Sequence, residues 1–118
     1  MRGSAGAGEH RGGLGQEVVI RNDSGYPMTL FSMGNRTEFP AMGFAGAGSG
    51  TRREHRVDGT PVDGMGTCEL APGSRVTLVE AGGGGFGDPV KRDRTLVERD
   101  IQNGFVSPAA AKREYAYD

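Results

Sequence analysis

The chain has 118 residues, a formal charge of −1 from 14 basic and 15 acidic side chains, 35% hydrophobic residues, no tryptophan and a mean hydropathy of −0.50. That balance gives no field to draw nucleic acid or anionic membrane over distance, and no apolar run approaches the roughly 20 residues of a membrane span. With 22 glycines and 6 prolines, apolar material for a core is thin, and the chain is expected to lean on other protein: a missing part of the same polypeptide, a partner subunit or a copy of itself.

The length allows one domain at most. Cys68 stands alone, which rules out an internal disulfide or a cysteine-based metal site and fits a reducing compartment. The start carries no signal-like apolar core, so a cytoplasmic protein is expected.

In chain order, Met1 to Gly15 is too glycine-rich for a helix or a regular strand, and His10 with Arg11-Gly12-Gly13 lies in a flexible loop. Gln16 to Arg21 and Pro27 to Met33 read as strands around the turn cluster Asn22-Asp23-Ser24-Gly25, together forming a hairpin. Arg36 to Arg53 reads as irregular, with Phe39, Met42 and Phe44 available to anchor a loop on a neighbouring surface. Arg52 to Val57 is a short edge strand ending in the turn pair Asp58-Gly59, Pro61 to Gly66 is irregular, and Thr67 to Leu70 is a brief strand. Ala71-Pro72-Gly73-Ser74 turns into Arg75 to Ala81, the clearest strand, with Val76, Leu78 and Val79 for burial.

Gly82 to Gly85 then follow, closed by Phe86-Gly87-Asp88-Pro89. Without β-carbons this backbone can take positive φ and approach another surface very closely, and its ordering cost makes sense if something packs directly on its main chain. Asp93 caps a helix from Arg94 to near Gln102, with Val97 and Ile101 inward and Leu96 beside them. Asn103-Gly104 supplies the left-handed stop with Phe105 folding back, and Ser107-Pro108 starts a second helix through Tyr115, with Ala111 and Tyr115 on one face. The fold class is mainly β with two short C-terminal α-helices, an α+β arrangement with irregular glycine-rich loops.

Candidate chemistry is sparse. The glycine run lacks the Lys-Ser or Lys-Thr of a phosphate loop; anion binding by the Gly82 to Gly87 amides is a weaker alternative to a structural or interface role. His10 and His55, the only imidazoles, read as surface residues with no metal-ligand spacing. Cys68 reads as a half-buried structural thiol, and Asp88 either as a general base or as the cap of an Asp-Pro turn.

The segments AGAGEHRGGLGQ (5–16), GGGGFGDP (82–89) and VKRDRTLVERDIQNGFVSPAAAKREY (90–115) closely resemble the C-terminal end of the hydantoinase B/oxoprolinase family. Its members show GGAG-x-x-RGG-x-G, a strand, PGGGGYGDP, an acidic-basic helix and a DGLVSPEAAR-x-x-Y ending. Departures are Ala81 where the family often has Pro, Phe86 for Tyr and Asn103 for Asp. The resemblance implies that residues 1–118 are a single C-terminal segment, with a glycine-rich β region over 1–89 and a helical tail over 90–118. The parent would be an ATP-dependent hydrolase opening cyclic amides such as N-methylhydantoin or 5-oxoproline, with related members carboxylating ketones.

ATP and a divalent metal are implied for the full enzyme and none for this segment. The implied partners are an A-type subunit or the missing N-terminal part of the B-type chain, with a homo-oligomer also open. Metal-ligand-type His and Asp motifs of the family lie in that N-terminal part, so no catalytic residue carries over. Arg11, Gly12, Gly13, Gly82, Gly83, Gly84, Gly85, Phe86, Gly87 and Asp88 carry over as motif positions that pack or line a subunit boundary. The competing expectation is a free-standing, non-catalytic accessory subunit that completes a larger catalytic chain.

Overall fold

The computed structural model describes residues 1–118. Six strands are followed by two helices: β1 (Glu17–Arg21), β2 (Met28–Met33), β3 (Glu54–Val57), β4 (Thr60–Val62), β5 (Met65–Leu70) and β6 (Arg75–Val79), then α1 (Arg94–Gln102) and α2 (Pro108–Tyr115). A short 3-10 turn, Pro89–Lys91, precedes α1. The mainly β architecture with a helical C-terminal end is as the residues suggest.

The strands form two antiparallel sheets, ordered β1-β6-β3-β4 and β2-β5. The expected β1–β2 hairpin is therefore absent. β1 pairs with β6, setting Val19 opposite Thr77, while β2 pairs with β5, setting Leu30 opposite Cys68. The Asn22 cluster is a crossover from one sheet to the other. Asn22 is buried and explains the departure: its Nδ2 donates to the carbonyls of Tyr26 at 2.7 Å and Leu70 at 3.0 Å, and its Oδ1 accepts from the Ser24 hydroxyl at 2.7 Å. One amide side chain thus ties the end of β1, the entry to β2 and the end of β5.

β3 is not an edge strand; it lies between β6 and β4. Its turn into β4 has Asp58 and Gly59 both at positive φ, 48° and 81°, the twist a tight hairpin needs. Asp58 also accepts from the Arg75 amide at 2.8 Å, fastening this turn to the start of β6. Residues 61–66 are only partly irregular, since Pro61 sits in β4, on the sheet edge where a missing N–H does no harm, and Met65 opens β5.

The helices begin and end where their caps dictate. Asp93 accepts from the Thr95 amide at 2.8 Å, and Ser107 from the Ala110 amide at 3.1 Å with Pro108 behind it. Gly104 at φ 71° closes α1, and the Phe105 amide returns to the Asp100 carbonyl at 2.8 Å. Val106 takes the buried place beyond this stop, while Phe105 stays half-buried.

One small core results, and a few strand residues are buried apart from it. Ala7, Val97, Val106, Ala111 and Tyr115 pack where the helices meet the N-terminal segment; Leu70, Val76 and Val79 are buried among the strands. Only 22 of 118 residues are buried, and the radius of gyration is 17.1 Å where a compact chain of this length would have about 13.5 Å. The accessible surface of 7253 Å² likewise exceeds the roughly 6,100 Å² of a compact monomer of this mass.

Replacing Asn22 by Ala leaves the buried Leu70 carbonyl without its side-chain donor and unties the three strand ends. Urea unfolding should show a loss of about 1–3 kcal/mol, while Asp23→Ala, exposed beside it, should cost under about 0.5 kcal/mol.

Candidate functional site

Three glycine-rich segments, residues 3–15, 41–51 and 82–87, are stacked backbone on backbone. A β-carbon at Gly82 would overlap the Ser4 carbonyl, one at Gly84 the Met42 carbonyl, and one at Gly85 the Ala7 carbonyl. Gly12 and Gly50 are blocked in return by the carbonyls of Gly83 and Gly82. Close approach, not unusual torsion, demands these glycines: none of Gly82 to Gly85 has positive φ, and in the run only Gly87 does, at 77°.

Hydrogen bonds fill the gaps that side chains would fill elsewhere. The Gly83 amide donates to Gly13 O at 2.9 Å, Gly85 to Gly48 O at 3.0 Å, Phe86 to His10 O at 2.9 Å and Gly87 to Phe44 O at 3.0 Å, while Gly82 donates to the Thr51 hydroxyl at 3.2 Å. With these amides committed to the protein itself, the run does not offer the cluster of free N–H groups that would cradle an anion. The loop around His10 is likewise held, since the His10 amide donates back to Phe86 O at 2.9 Å.

Arg11 leaves this stack and reaches α1. Its Nε is 2.9 Å from Asp100 Oδ2, its guanidinium lies 5.6 Å over the Phe105 ring, and Arg92 approaches the same carboxylate oxygen at 3.0 Å. Arg92 also donates to the Glu9 carbonyl at 3.0 Å, so two cations around one buried carboxylate clamp the N-terminal segment to the helices. Asp100 and Arg92 were not singled out from sequence. The available signal was a carboxylate on the inward face of α1, between Val97 and Ile101. Asp88 sits apart, exposed, its carboxylate accepting from the Val90 amide at 3.0 Å as the cap of the 3-10 turn.

His10, Phe86 and Phe44 lie side by side across three paired segments, with ring centroids 6.1 Å and 6.0 Å apart. Phe86 is 51% exposed and Phe44 72%, so the motif presents an aromatic row to the outside.

The expectation of a surface histidine fails at His55, which is buried in β3. Arg53 Nε can only donate, so at 3.1 Å it fixes His55 Nε2 as acceptor; the ring proton then sits on Nδ1 and points to Ser32 Oγ at 2.9 Å. Arg53 continues to Glu80 at 2.8 Å. Burial, seconded by the Arg53 charge and opposed by Glu80, holds the imidazole below its ordinary pKa. A histidine already donating to Ser32 cannot take that hydroxyl's proton, so the pair is not a nucleophile and its base.

Nowhere do three or more His, Cys, Asp or Glu side chains stand together as metal ligands, and Cys68 is a half-buried free thiol. A shallow cavity of about 340 Å³ opens in the helical tail between Ile101, Pro108, Lys112, Tyr117 and Asp118, sharing no residue with the glycine motifs.

The family model described as Hydantoinase B/oxoprolinase matches residues 1–89. The caprolactamase subunit beta of Pseudomonas jessenii is 36% identical over 124 aligned positions, covering 98% of this chain and 21% of that protein. An uncharacterized protein of Methanocaldococcus jannaschii is 34% identical, covering 95% of this chain and 20% of its own length. Among solved structures, the ATP-dependent caprolactamase from Pseudomonas jessenii superposes with a TM-score of 0.71 at 29% identity, over 92% of this chain and 20% of that one. An acetone carboxylase in its nucleotide-free structure shares the fold, with a TM-score of 0.64 at 23% identity, over 97% and 20%. The chain thus spans about a fifth of the length of these relatives.

Two measurements test the site's construction. Gly82→Ala should destabilise the chain by at least about 3 kcal/mol in urea melts, because its β-carbon meets backbone that cannot step aside. Gly13→Ala, which meets nothing within 4 Å, should leave stability unchanged or raise it by up to about 1 kcal/mol. For His55, an unfolded imidazole takes up its proton near pH 6.5 while the buried one resists. The unfolded state therefore binds more protons below that pH. Thermal stability should fall as pH drops from about 6.5 toward 5, and His55→Gln should flatten that slope.

Proposed function

Because the chain belongs to the hydantoinase B/oxoprolinase family, we propose that it is the C-terminal segment of a B-type subunit of an ATP-dependent cyclic-amide hydrolase. In this reading residues 1–89 form the glycine-rich β region and 90–118 the helical tail of one segment, which supplies scaffold and interface but no catalytic group. Its parent opens rings of the hydantoin or 5-oxoproline kind, a substrate class that also accommodates the caprolactam of the relative's name.

One observation carries the interface role. Four of the five phenylalanines are more than half exposed, Phe31 at 65%, Phe39 at 78%, Phe44 at 72% and Phe86 at 51%, while the buried apolar side chains are mostly Val and Ala. Phenylalanine is ordinarily among the most buried residues, and exposed apolar surface of this kind marks protein contact. The excess surface and extended shape point the same way. In this reading the covering surface comes from an A-type subunit or from the N-terminal part of the B-type chain.

The residues present do not suit ATP or a divalent metal: the carboxylates and imidazoles are dispersed, and the amides of Gly82, Gly83, Gly85 and Gly87 are bonded to neighbouring acceptors. We therefore assign nucleotide, metal and catalytic groups to the part of the enzyme outside this segment. No helix is long and apolar enough to cross a membrane, and the site of action we propose is the cytoplasm.

The purified 118-residue chain, supplied with ATP, magnesium and 5-oxoproline, hydantoin or caprolactam, should release neither ADP nor ring-opened product. Turnover of any of these by the chain alone would show that the catalytic groups lie within it.

A further inference from the structure

The sheets expose edges at β1, β4, β2 and β5, and three of these carry the usual protections against adding another strand. β1 has Glu17 and Arg21, β4 has Pro61, and β5 has Glu69 and Gly66. β2, with the sequence MTLFSM, has no charge, no proline and no glycine. Its backbone bonds to β5 alone, so the N–H and C=O groups directed away from β5 meet no other segment. A two-stranded ribbon is marginally stable unless something is added to it.

The face of this ribbon is as bare as its edge. The register sets Met33 opposite Met65 and Phe31 opposite Thr67 on one side, and Phe31, Met33 and Met65 are 65%, 70% and 54% exposed. The other side turns inward, where Leu70 is buried and Ser32 bonds to His55.

We propose that the free edge of β2 receives a β-strand from the larger polypeptide that completes the enzyme, with an apolar layer of that polypeptide laid over Phe31, Met33 and Met65. This rests on the reading of the chain as one segment of a longer assembly, and it names the element that docks. The relatives supply the material, since about four-fifths of their length lies outside the part matched here. A second copy fits less well. Two β2 edges paired antiparallel about a two-fold axis would extend the ribbon to four strands and bring two apolar faces to the same side, doubling the uncovered surface instead of burying it.

The test uses the full chain and one probe, the Pseudomonas jessenii caprolactamase subunit beta with its matching segment deleted. Hydrogen exchange of the chain alone should be fast at the outward amides of residues 28–33, and adding the probe should slow it by about tenfold or more. Phe31→Lys should weaken association by about tenfold or more. Val19→Lys, the same polarity change on the charged edge strand β1, should alter it by less than about twofold. Phe31 lies outside the cores, and an unchanged exchange pattern over β1 and β6 in the variant confirms that it folds. Protection at residues 82–87 without protection at 28–33 would overturn the docking assignment and leave the interface reading standing; no association at all would overturn both. Protection of 28–33 in the chain alone, with doubled mass by light scattering, would make a second copy the occupant and overturn the proposal.

Discussion

The structure depends on the contact of bare main chain with bare main chain. Where residues 82–87 pass between the segments at 3–15 and 41–51, carbonyls occupy the space that β-carbons would need, and N–H groups find their acceptors across the gap. Such an arrangement gains little from the hydrophobic effect and gives up much chain entropy; glycine loses more freedom on folding than any other residue. Its hydrogen bonds, modest individually, hold because they are numerous and shielded by neighbouring backbone. The stack also sets the position of the elements around it. β6 enters it from one end, the 3-10 turn and α1 leave from the other, and Arg11 is delivered to Asp100.

From this constraint follows the distribution of large side chains. A layer built of glycine leaves no room for a phenylalanine, so the core beside it is filled with Val, Ala and Tyr115, and the buried apolar strand residues are Leu70, Val76 and Val79. Phe44 and Phe86, although they belong to the stacked segments, turn their rings out of it. The Arg11–Asp100–Arg92 clamp, buried at Asp100 and Arg92 and part-exposed at Arg11, belongs to the same economy of space, joining the stack to the helices with guanidinium groups where a larger apolar core is missing. Desolvating three charges is weak evidence for added stability, but the geometry fixes which helix face meets which loop.

What could be read from the residues and what could not divides along sequence distance. The helix boundaries at Asp93, Gly104 and Ser107-Pro108 were legible because each cap is a contact within a few residues. The run Gly82 to Gly85 was legible as a place of close backbone approach, although its torsions are ordinary. Strand pairing was not legible: Val19 chooses Thr77 and Leu30 chooses Cys68 across dozens of residues, and the turn-like cluster at Asn22 looks the same whether it closes a hairpin or crosses between sheets. His55 was misplaced for a related reason. A lone imidazole between arginines reads as solvated, and only the arrival of Ser32 from the other sheet, beside the neighbouring Arg53, gives both ring nitrogens a partner in the buried state.

Two of the three departures from the pattern that the resemblance implies, Phe86 and Asn103, fall where the fold does not use the side chain. At Phe86, in place of Tyr, the backbone does the pairing: its N–H and C=O both bond to His10, and the ring lies outside the stack, so loss of a hydroxyl leaves the glycine frame intact. At Asn103, in place of Asp, the residue is exposed and contributes its amide to the Arg99 carbonyl at 2.9 Å, a bond any non-proline residue makes. The glycines whose β-carbon would strike a carbonyl have no such latitude, and neither has Arg11, whose fork spans both oxygens of Asp100. The physical content of the motif is therefore a path for the main chain and one charged clamp. A motif specified in those terms constrains the backbone and leaves its aromatic rings, Phe44 and Phe86, free of the packing inside.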